Sequence, residues 1–380
     1  MDVYLDNAAT SHPKPQPVID AVLTALTVMN GNPGRSGHMR ALGGARMLLK
    51  CRETLAALIN APSGGHVVFC FNATDALNMA IKGSLRVGDH VVSTLMEHNS
   101  VLRVLKGLEA RGLIEVTLLS PDESGTVSDK QFEKALRRNT ALCISTHASN
   151  VTGAIQPVAA IGDCLSRHGV RYLIDGSQAI GHVPVDVSAL KCALYAFPGH
   201  KGLLGPQGTG GLYIAPDTPL ETFREGGTGS SSESMLQPAD PPECYESGTV
   251  NLPGIAGLQA GAALVSEEGR KHWARERELT RMLYDGLSAM ETVTLYSPAE
   301  DAARVGVVSF NLGDRMSTAV ADALDQRGIA VRGGLHCAPS IHTWLGTLQS
   351  GAVRASVGIY NTEQEIDDTA AIIARLLREW

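Results

Sequence analysis

The feature that most constrains this chain is an alternation of short apolar runs with helical ones, beginning near residue 66. "HVVFCF" reads as a strand and "TDALNMAIKGSL" as a helix; "HVVST" precedes a helix at about 99–111. "EVTLLS" precedes a helix near 128–138, and "ALCIST" one at about 157–168. "RYLID", "CALYAF" and "GGLYIA" complete the series. Strands apolar on both faces, with helices between them, predict an α/β fold whose mostly parallel sheet is covered on both sides. The glycines of "GPQGTGG" between the last two runs predict a turn and an antiparallel return.

Residues 222–253 break the pattern. They are rich in Gly, Ser, Pro and Glu, and predict a long functional loop. A long helix is expected over about 254–290, then "VGVVSFNL", a helix near 316–327, "IAVRGG", "AVRASVG" and a final helix from about 363. This tail predicts a smaller α+β domain. The expected division is a large domain over 15–255 and a small one from 1–14 with 256–380.

Charge and cysteine usage exclude several functions. A net charge of −7 over 380 residues argues against electrostatic binding to nucleic acid or to anionic lipid. The N-terminus "MDVYLDNAATSHPKP" has no basic or apolar leader region, and no apolar run reaches membrane-spanning length. Most of the seven cysteines lie inside apolar runs, which predicts buried free thiols in a reducing compartment rather than a disulfide framework. A cytoplasmic protein is expected.

The chemistry centres on "ALYAFPGHKGLLGPQGTGGLYIA", where Lys201 sits among glycines at the end of an apolar run. A lysine there can clamp a phosphate, form a covalent bond, or simply solvate a loop. The Walker A pattern fails, because Gly202 and Leu203 follow the lysine and the upstream glycine spacing is wrong. No G-x-G-x-x-G follows the first strand either. Asp175 ends the preceding strand, at the sheet edge where α/β proteins bind ligands. Alone it reads equally well as a cap or turn residue. A lysine and an aspartate at the ends of successive strands are what pyridoxal phosphate requires: one for the Schiff base, the other to keep the pyridinium protonated.

Further candidates stand at equivalent strand ends. Thr74, leading a helix, suits the cofactor's phosphate, with His200 as an added donor; a helix cap is the plain reading of Thr74. His98 can stack on an aromatic ring and handle protons, or be structural. The amide of Asn150 suits a phenolic oxygen or a substrate carboxylate. Cys337, in "VRGGLHCAPSIHTWLG", has three readings. It can bind metal with His336 and His342, be a buried structural thiol, or act as a nucleophile on a flexible loop.

The strings "YLDNAAT", "EHNS", "SNVTGAIQPV", "IDGSQAIGHVPVDV", "GHKGLLGPQGTGGLYI", "ESGTVNLPGIAGL", "GGLHCAP" and "VRASVGIYNTEQEID" occur in order across about residues 4–370. This ordered set resembles the cysteine desulfurase and selenocysteine lyase family, the class V branch of fold-type I pyridoxal phosphate enzymes. The resemblance implies a fold-type I large domain with a seven-stranded sheet, Lys201 as the Schiff-base lysine and Asp175 as the pyridinium partner. It implies Gln178 at the phenolic oxygen, His98 stacked on the ring, and Thr74 and His200 at the phosphate. It also implies that Thr249 reaches the phosphate of a neighbouring subunit in a homodimer. Cys337 becomes the nucleophile that carries sulfur as a persulfide, and Arg354 the clamp of the substrate's α-carboxylate; a structural ion pair is the plain reading of Arg354. The implied reaction is removal of sulfur from L-cysteine, giving L-alanine, with selenocysteine open as a second substrate.

One departure stands out: Pro198 occupies a position where many relatives carry a phosphate-contacting serine. The short segment from Gly333 to His342 resembles the branch with a short, ordered cysteine loop, which often depends on an acceptor protein to take the persulfide. Two other functions remain open at this point. One is a class V aminotransferase or other lyase on a different amino acid; the other is a non-catalytic binding protein that has kept the fold.

Overall fold

The structure is a computed structural model, and it describes residues 2–29, 31–33, 37–229 and 233–380. The chain opens with β1 (Val3–Tyr4), α1 (Gln16–Thr27) and α2 (Met39–Leu58). The alternating region follows: β2 (Val67–Cys70), α3 (Ala73–Ser84), β3 (Asp89–Thr94), α4 (Asn99–Glu109), β4 (Ile114–Leu119), α5 (Asp129–Ala135) and β5 (Thr140–Thr146). It continues with α6 (Val158–Arg167), β6 (Arg171–Asp175), β7 (Leu194–Pro198) and β8 (Gly210–Ile214).

These strands form a seven-stranded sheet in the order β2-β8-β7-β6-β5-β3-β4. Pairings from β4 through β7 are parallel, while β8 runs antiparallel to both β7 and β2. The connection between β7 and β8 is too short for a parallel crossover, so the chain must turn back. The expected antiparallel return is observed.

Successive residues of each strand enter opposite cores, as the two-residue period of a strand demands. On β6, Tyr172 and Ile174 face a core shared with α2, α6 and the start of α7, whereas Leu173 faces one built on α3 and α4. On β2, Val67 and Phe69 divide from Val68 and Cys70 in the same way. Burying a large apolar side chain contributes about 1.5–3 kcal/mol, so a sheet lined on both faces needs both helical layers.

The rest of the chain is α7 (Leu252–Ser288), β9 (Val293–Leu295), β10 (Val307–Leu312), α8 (Ser317–Asp325), β11 (Ile329–Ala330), β12 (Arg332–Gly334), α9 (Pro339–Trp344), β13 (Ala352–Ser356) and α10 (Glu363–Glu379). A four-stranded antiparallel sheet, β12-β13-β10-β9, shares a core with α7, α8 and α10. The N-terminal segment joins this core through Val3 and Leu5, and β1 pairs with β11. Helix α7 packs Ile255 and Leu258 on the large sheet and Leu279 and Leu283 on the small one. The expected boundary at 255 therefore falls inside a continuous helix.

Helices α1 and α2 were not legible in the sequence. Much of the buried face of α2 consists of Ala41, Gly44, Ala56 and a charged Arg52, so no strong apolar period marks it. Between 222 and 251 the described residues form neither helix nor strand, as expected; residues 230–232 of that loop lie outside the described residues. The loop is anchored by Glu246, which pairs with Arg52 Nη2 at 2.5 Å and accepts the Phe69 N–H. Six cysteines are buried free thiols and Cys337 is exposed. No helix of the described residues is long and apolar enough to cross a membrane.

Candidate active site

A cavity of about 230 Å³ opens at the carboxyl ends of the parallel strands. Of the residues expected there, Thr74, His98, Asn150, Asp175, Gln178, His200, Lys201 and Arg354 line it, and so does Pro198. Cys337 and Thr249 do not. A larger hollow of about 550 Å³ lies between the segment Ile180–Val185 and α7. It holds none of these groups, and convergence of ionisable side chains identifies a site better than volume does.

Lys201 follows β7 in a turn that only glycines can make. A Cβ on Gly199 would stand 2.2 Å from Thr209 Oγ1, and one on Gly202 2.2 Å from the Ile180 carbonyl. This packing turns the lysine towards Asp175, the last residue of the neighbouring β6. The amine borders the cavity but is otherwise enclosed by protein. Burial lowers its pKa to about 8, with the Asp175 charge opposing and Arg354 and Arg332 assisting. Asp175 Oδ1 accepts from the Ser177 N–H (2.9 Å) and from its hydroxyl (2.5 Å), which fixes the carboxylate.

His98 is the N-cap of α4, and its Nδ1 accepts the Ser100 N–H at 3.0 Å. That bond places the ring proton on Nε2. Burial holds the ring below its ordinary pKa; Asp175 opposes, and Lys201, Arg332 and Arg354 reinforce the shift, so the imidazole is neutral. Ser100 Oγ also meets Thr74 Oγ1 at 2.7 Å, joining the starts of α3 and α4. Asn72, rather than Thr74, caps α3, accepting from the Asp75 N–H. Thr74 is thus free of capping duty and sits in the first turn.

His200 is lowered to about 4, by burial first and then by Lys201 and Lys14, and its buried Nδ1 has no partner. Gln178 donates Nε2–H to the Ala8 carbonyl at 3.0 Å. Arg354, on β13, donates Nη1–H to the Asn150 carbonyl (3.0 Å) and Nη2–H to Asp6 Oδ1 (2.8 Å), while its buried Nε is unpartnered. The structural ion pair considered for this arginine therefore exists, on a residue that also faces the cavity.

The cysteine loop is held from three sides. The Cys337 carbonyl accepts the Asn99 N–H (2.8 Å), the His336 carbonyl accepts from Asn150 Nδ2 (2.7 Å), and the His336 ring reaches the Ala352 carbonyl (2.9 Å). His336 and Cys337 both have left-handed backbones, with φ of 49° and 58°. This geometry exposes the thiol while burying the His336 ring beneath it. The Asn150 amide is thus engaged with the loop. His342 Nδ1 pairs with Thr347 Oγ1, and its ring lies 5.7 Å from that of His336, centroid to centroid.

Sequence reasoning passed over Arg332, which lines the cavity and places Nη2 3.8 Å from Cys337 Sγ. It pairs directly with Arg354 across β12 and β13. Like charges in register are unfavourable, so two adjacent arginines on a cavity wall mark an anion site. The available signal was an arginine five residues before the cysteine. Thr249 is exposed in a separate depression with Phe71, Arg224 and Glu246.

Residues 3–368 match the family model described as Aminotransferase class-V. A probable cysteine desulfurase of Methanothermobacter thermautotrophicus is 37% identical, over 96% of this chain and 92% of its own length. A cysteine desulfurase of Salmonella agona is 34% identical, over 99% and 93%. Among solved structures, the apo cysteine desulfurase of Thermococcus onnurineus NA1 aligns with a TM-score of 0.93 at 30% identity, covering 100% of this chain and 95% of that one. An Escherichia coli cysteine desulfurase, solved as the S-sulfonic acid, aligns with a TM-score of 0.89 at 26% identity, over 99% and 95%. The ordered motifs, the topology and this full-length similarity agree, and the chain belongs to the class-V aminotransferase family, in its cysteine desulfurase branch.

Proposed function

We propose that this protein is a pyridoxal-phosphate-dependent cysteine desulfurase, converting L-cysteine to L-alanine and leaving a persulfide on Cys337. The observation that carries the reading is the convergence of Lys201, Asp175, His98 and Arg354 on one cavity, with an exposed thiol on an ordered loop at its edge.

The residues present fit the cofactor. Lys201 is a buried amine that loses its proton far more readily than an ordinary lysine, as a covalent anchor needs. Asp175 is a fixed buried carboxylate that suits a pyridinium N–H. The unpartnered His200 Nδ1 and the first turn of α3, with Thr74, supply donors for a phosphate without the serine that Pro198 replaces. When bound, pyridoxal phosphate supplies an electron sink for bonds broken at the amino acid's α-carbon.

The chain's own groups do the rest. Arg354 and Arg332 bind and orient the substrate carboxylate. Lys201 Nζ holds and returns the α-proton, and neutral His98, protonated at Nε2, lines the same cavity and relays protons. Cys337 Sγ attacks the substrate sulfur. The S–S bond forms as the Cβ–S bond breaks, and the carbon takes up protons to leave as alanine. Arg332 Nη2 stands 3.8 Å from the sulfur that begins this step. Thr249, which does not line its own cavity, serves the phosphate site of a second copy in a homodimer. The persulfide then passes to an acceptor protein at the exposed loop.

The test is to incubate the holoenzyme with L-cysteine and measure alanine together with sulfide. Wild type should release alanine, and Cys337→Ala should lower the rate at least about a hundredfold with the cofactor's absorbance unchanged. Undiminished alanine release by the variant would overturn the persulfide mechanism. A requirement for a keto acid would assign the protein to the aminotransferases instead.

A further inference from the structure

Beneath the cavity floor lies a carboxyl group that the mechanism above does not use. Glu97 directly precedes His98 and is fully buried. Its Oε1 accepts the Thr94 hydroxyl (2.7 Å) at the end of β3 and the Thr146 N–H (3.0 Å) at the end of β5. Its Oε2 is buried and has no partner. Thr146 lines the cavity and pairs across the parallel ladder with Asp175. The same carboxyl therefore ties together the two strand ends that carry His98 and the segment leading to Asn150.

The groups facing Glu97 decide its protonation state. From β6 come the Asp175 carboxylate and the Tyr172 phenol; from β3 and β5 come the two threonines. Asp175 disfavours a second negative charge, and none of these groups is a cation. An ionised Glu97 would be an unpaired charge in the interior, with one oxygen lacking any donor, which is far costlier than a neutral acid with one oxygen unpartnered.

We propose that Glu97 is a positioning residue of this site and that it works as the neutral acid. Its Oε1 fixes the end of β5, and the proton it retains leaves Asp175 as the negative charge beneath the cavity floor. Burial, chiefly, raises its pKa to about 8, with the two threonine hydrogen bonds opposing. Because the folded state holds this proton more tightly than the unfolded chain, the associated stability is fully present below the ordinary value of 4.5 and is lost as pH rises through about 8.

The experiment compares wild-type, Glu97→Gln and Glu97→Ala holoenzymes. Glutamine keeps both accepted hydrogen bonds but cannot ionise. The wild-type-minus-Glu97→Gln infrared difference spectrum should contain a protonated-carboxyl C=O band at neutral pH that fades above about 8. The melting temperature of Glu97→Gln relative to wild type should climb between about pH 4.5 and 8 and level off above that. A carboxylate band at neutral pH, parallel melting curves, or failure of the glutamine variant to fold would overturn the proposal. The kinetic arm rests on the desulfurase reading, whereas the infrared and melting arms do not, so the two failures are distinguishable. For alanine formation, Glu97→Gln should stay within about threefold of wild type and Glu97→Ala should lose about tenfold or more in kcat with little change in KM, because alanine removes the acceptor of both hydrogen bonds. Equal loss in both variants would show that the carboxylate charge is needed and would also overturn it.

Discussion

At the scale of single residues, the site depends on a lysine that gives up its proton near neutral pH. Two effects act on Lys201 in opposite directions: burial lowers its pKa and Asp175 raises it, and burial wins, leaving it at about 8. This predicts how the cofactor-free protein takes up pyridoxal phosphate, which requires the neutral amine. The uptake rate, followed by absorbance, should climb about tenfold per pH unit below 8 and level off above it, whereas an ordinary lysine would keep gaining to about 10.4. Asp175→Asn removes the charge that holds the pKa up, so the plateau should begin at lower pH. Lys201→Ala should form no covalent complex at any pH. A rate still rising steeply above pH 9 would show that the amine is not desolvated as the structure places it.

At the scale of elements, the cysteine loop is ordered by bonds that come from outside it. The loop connects β12 and α9, with two consecutive left-handed residues, neither of them glycine. A non-glycine residue costs about 1–2 kcal/mol in that conformation, so the loop needs external support to hold it. Asn99 and Asn150 supply that support through the carbonyls of Cys337 and His336. Asn150→Ala leaves a nearly buried carbonyl without its side-chain donor, a loss of about 1–3 kcal/mol. The expected result is faster amide hydrogen exchange over residues 335–338 and about tenfold slower alanine formation. Unchanged exchange would mean that the Asn99 N–H and the His336 ring hold the loop without Asn150. The sequence announced this element poorly, because neither its positive φ angles nor its distant donors leave a local pattern.

At the scale of the whole molecule, Thr249 is the residue whose position makes sense only beyond one chain. It lies outside its own cavity, in a depression shared with Phe71 of the β2–α3 turn, presented by a loop that Arg52 and Glu246 fasten to β2. If it serves a second copy, Thr249→Ala should weaken cofactor retention about tenfold, the worth of one hydrogen bond to a phosphate. Mixing Thr249→Ala chains with Lys201→Ala chains should then restore normal retention in one of the two sites of each hybrid, detected by absorbance after dialysis. No restoration in purified hybrids would place both residues in the same chain's site.

The alternation of apolar and helical runs determined, without help, the doubly covered sheet and its antiparallel return, because strand and helix periods and a short glycine turn are local properties. The ordered motifs likewise pointed to Lys201, Asp175, His98 and Arg354, since each stands at a strand end or on a strand where its chemistry is exposed. Tertiary structure decided the rest. It gave Asn150 to the cysteine loop, set Arg332 beside Arg354, kept Thr249 away from its own cavity, and enclosed Glu97 with no counter-charge. Each of these depends on which distant segments meet, and so on the packing of strands and loops far apart in the chain, whose contacts leave no periodicity for a sequence to display.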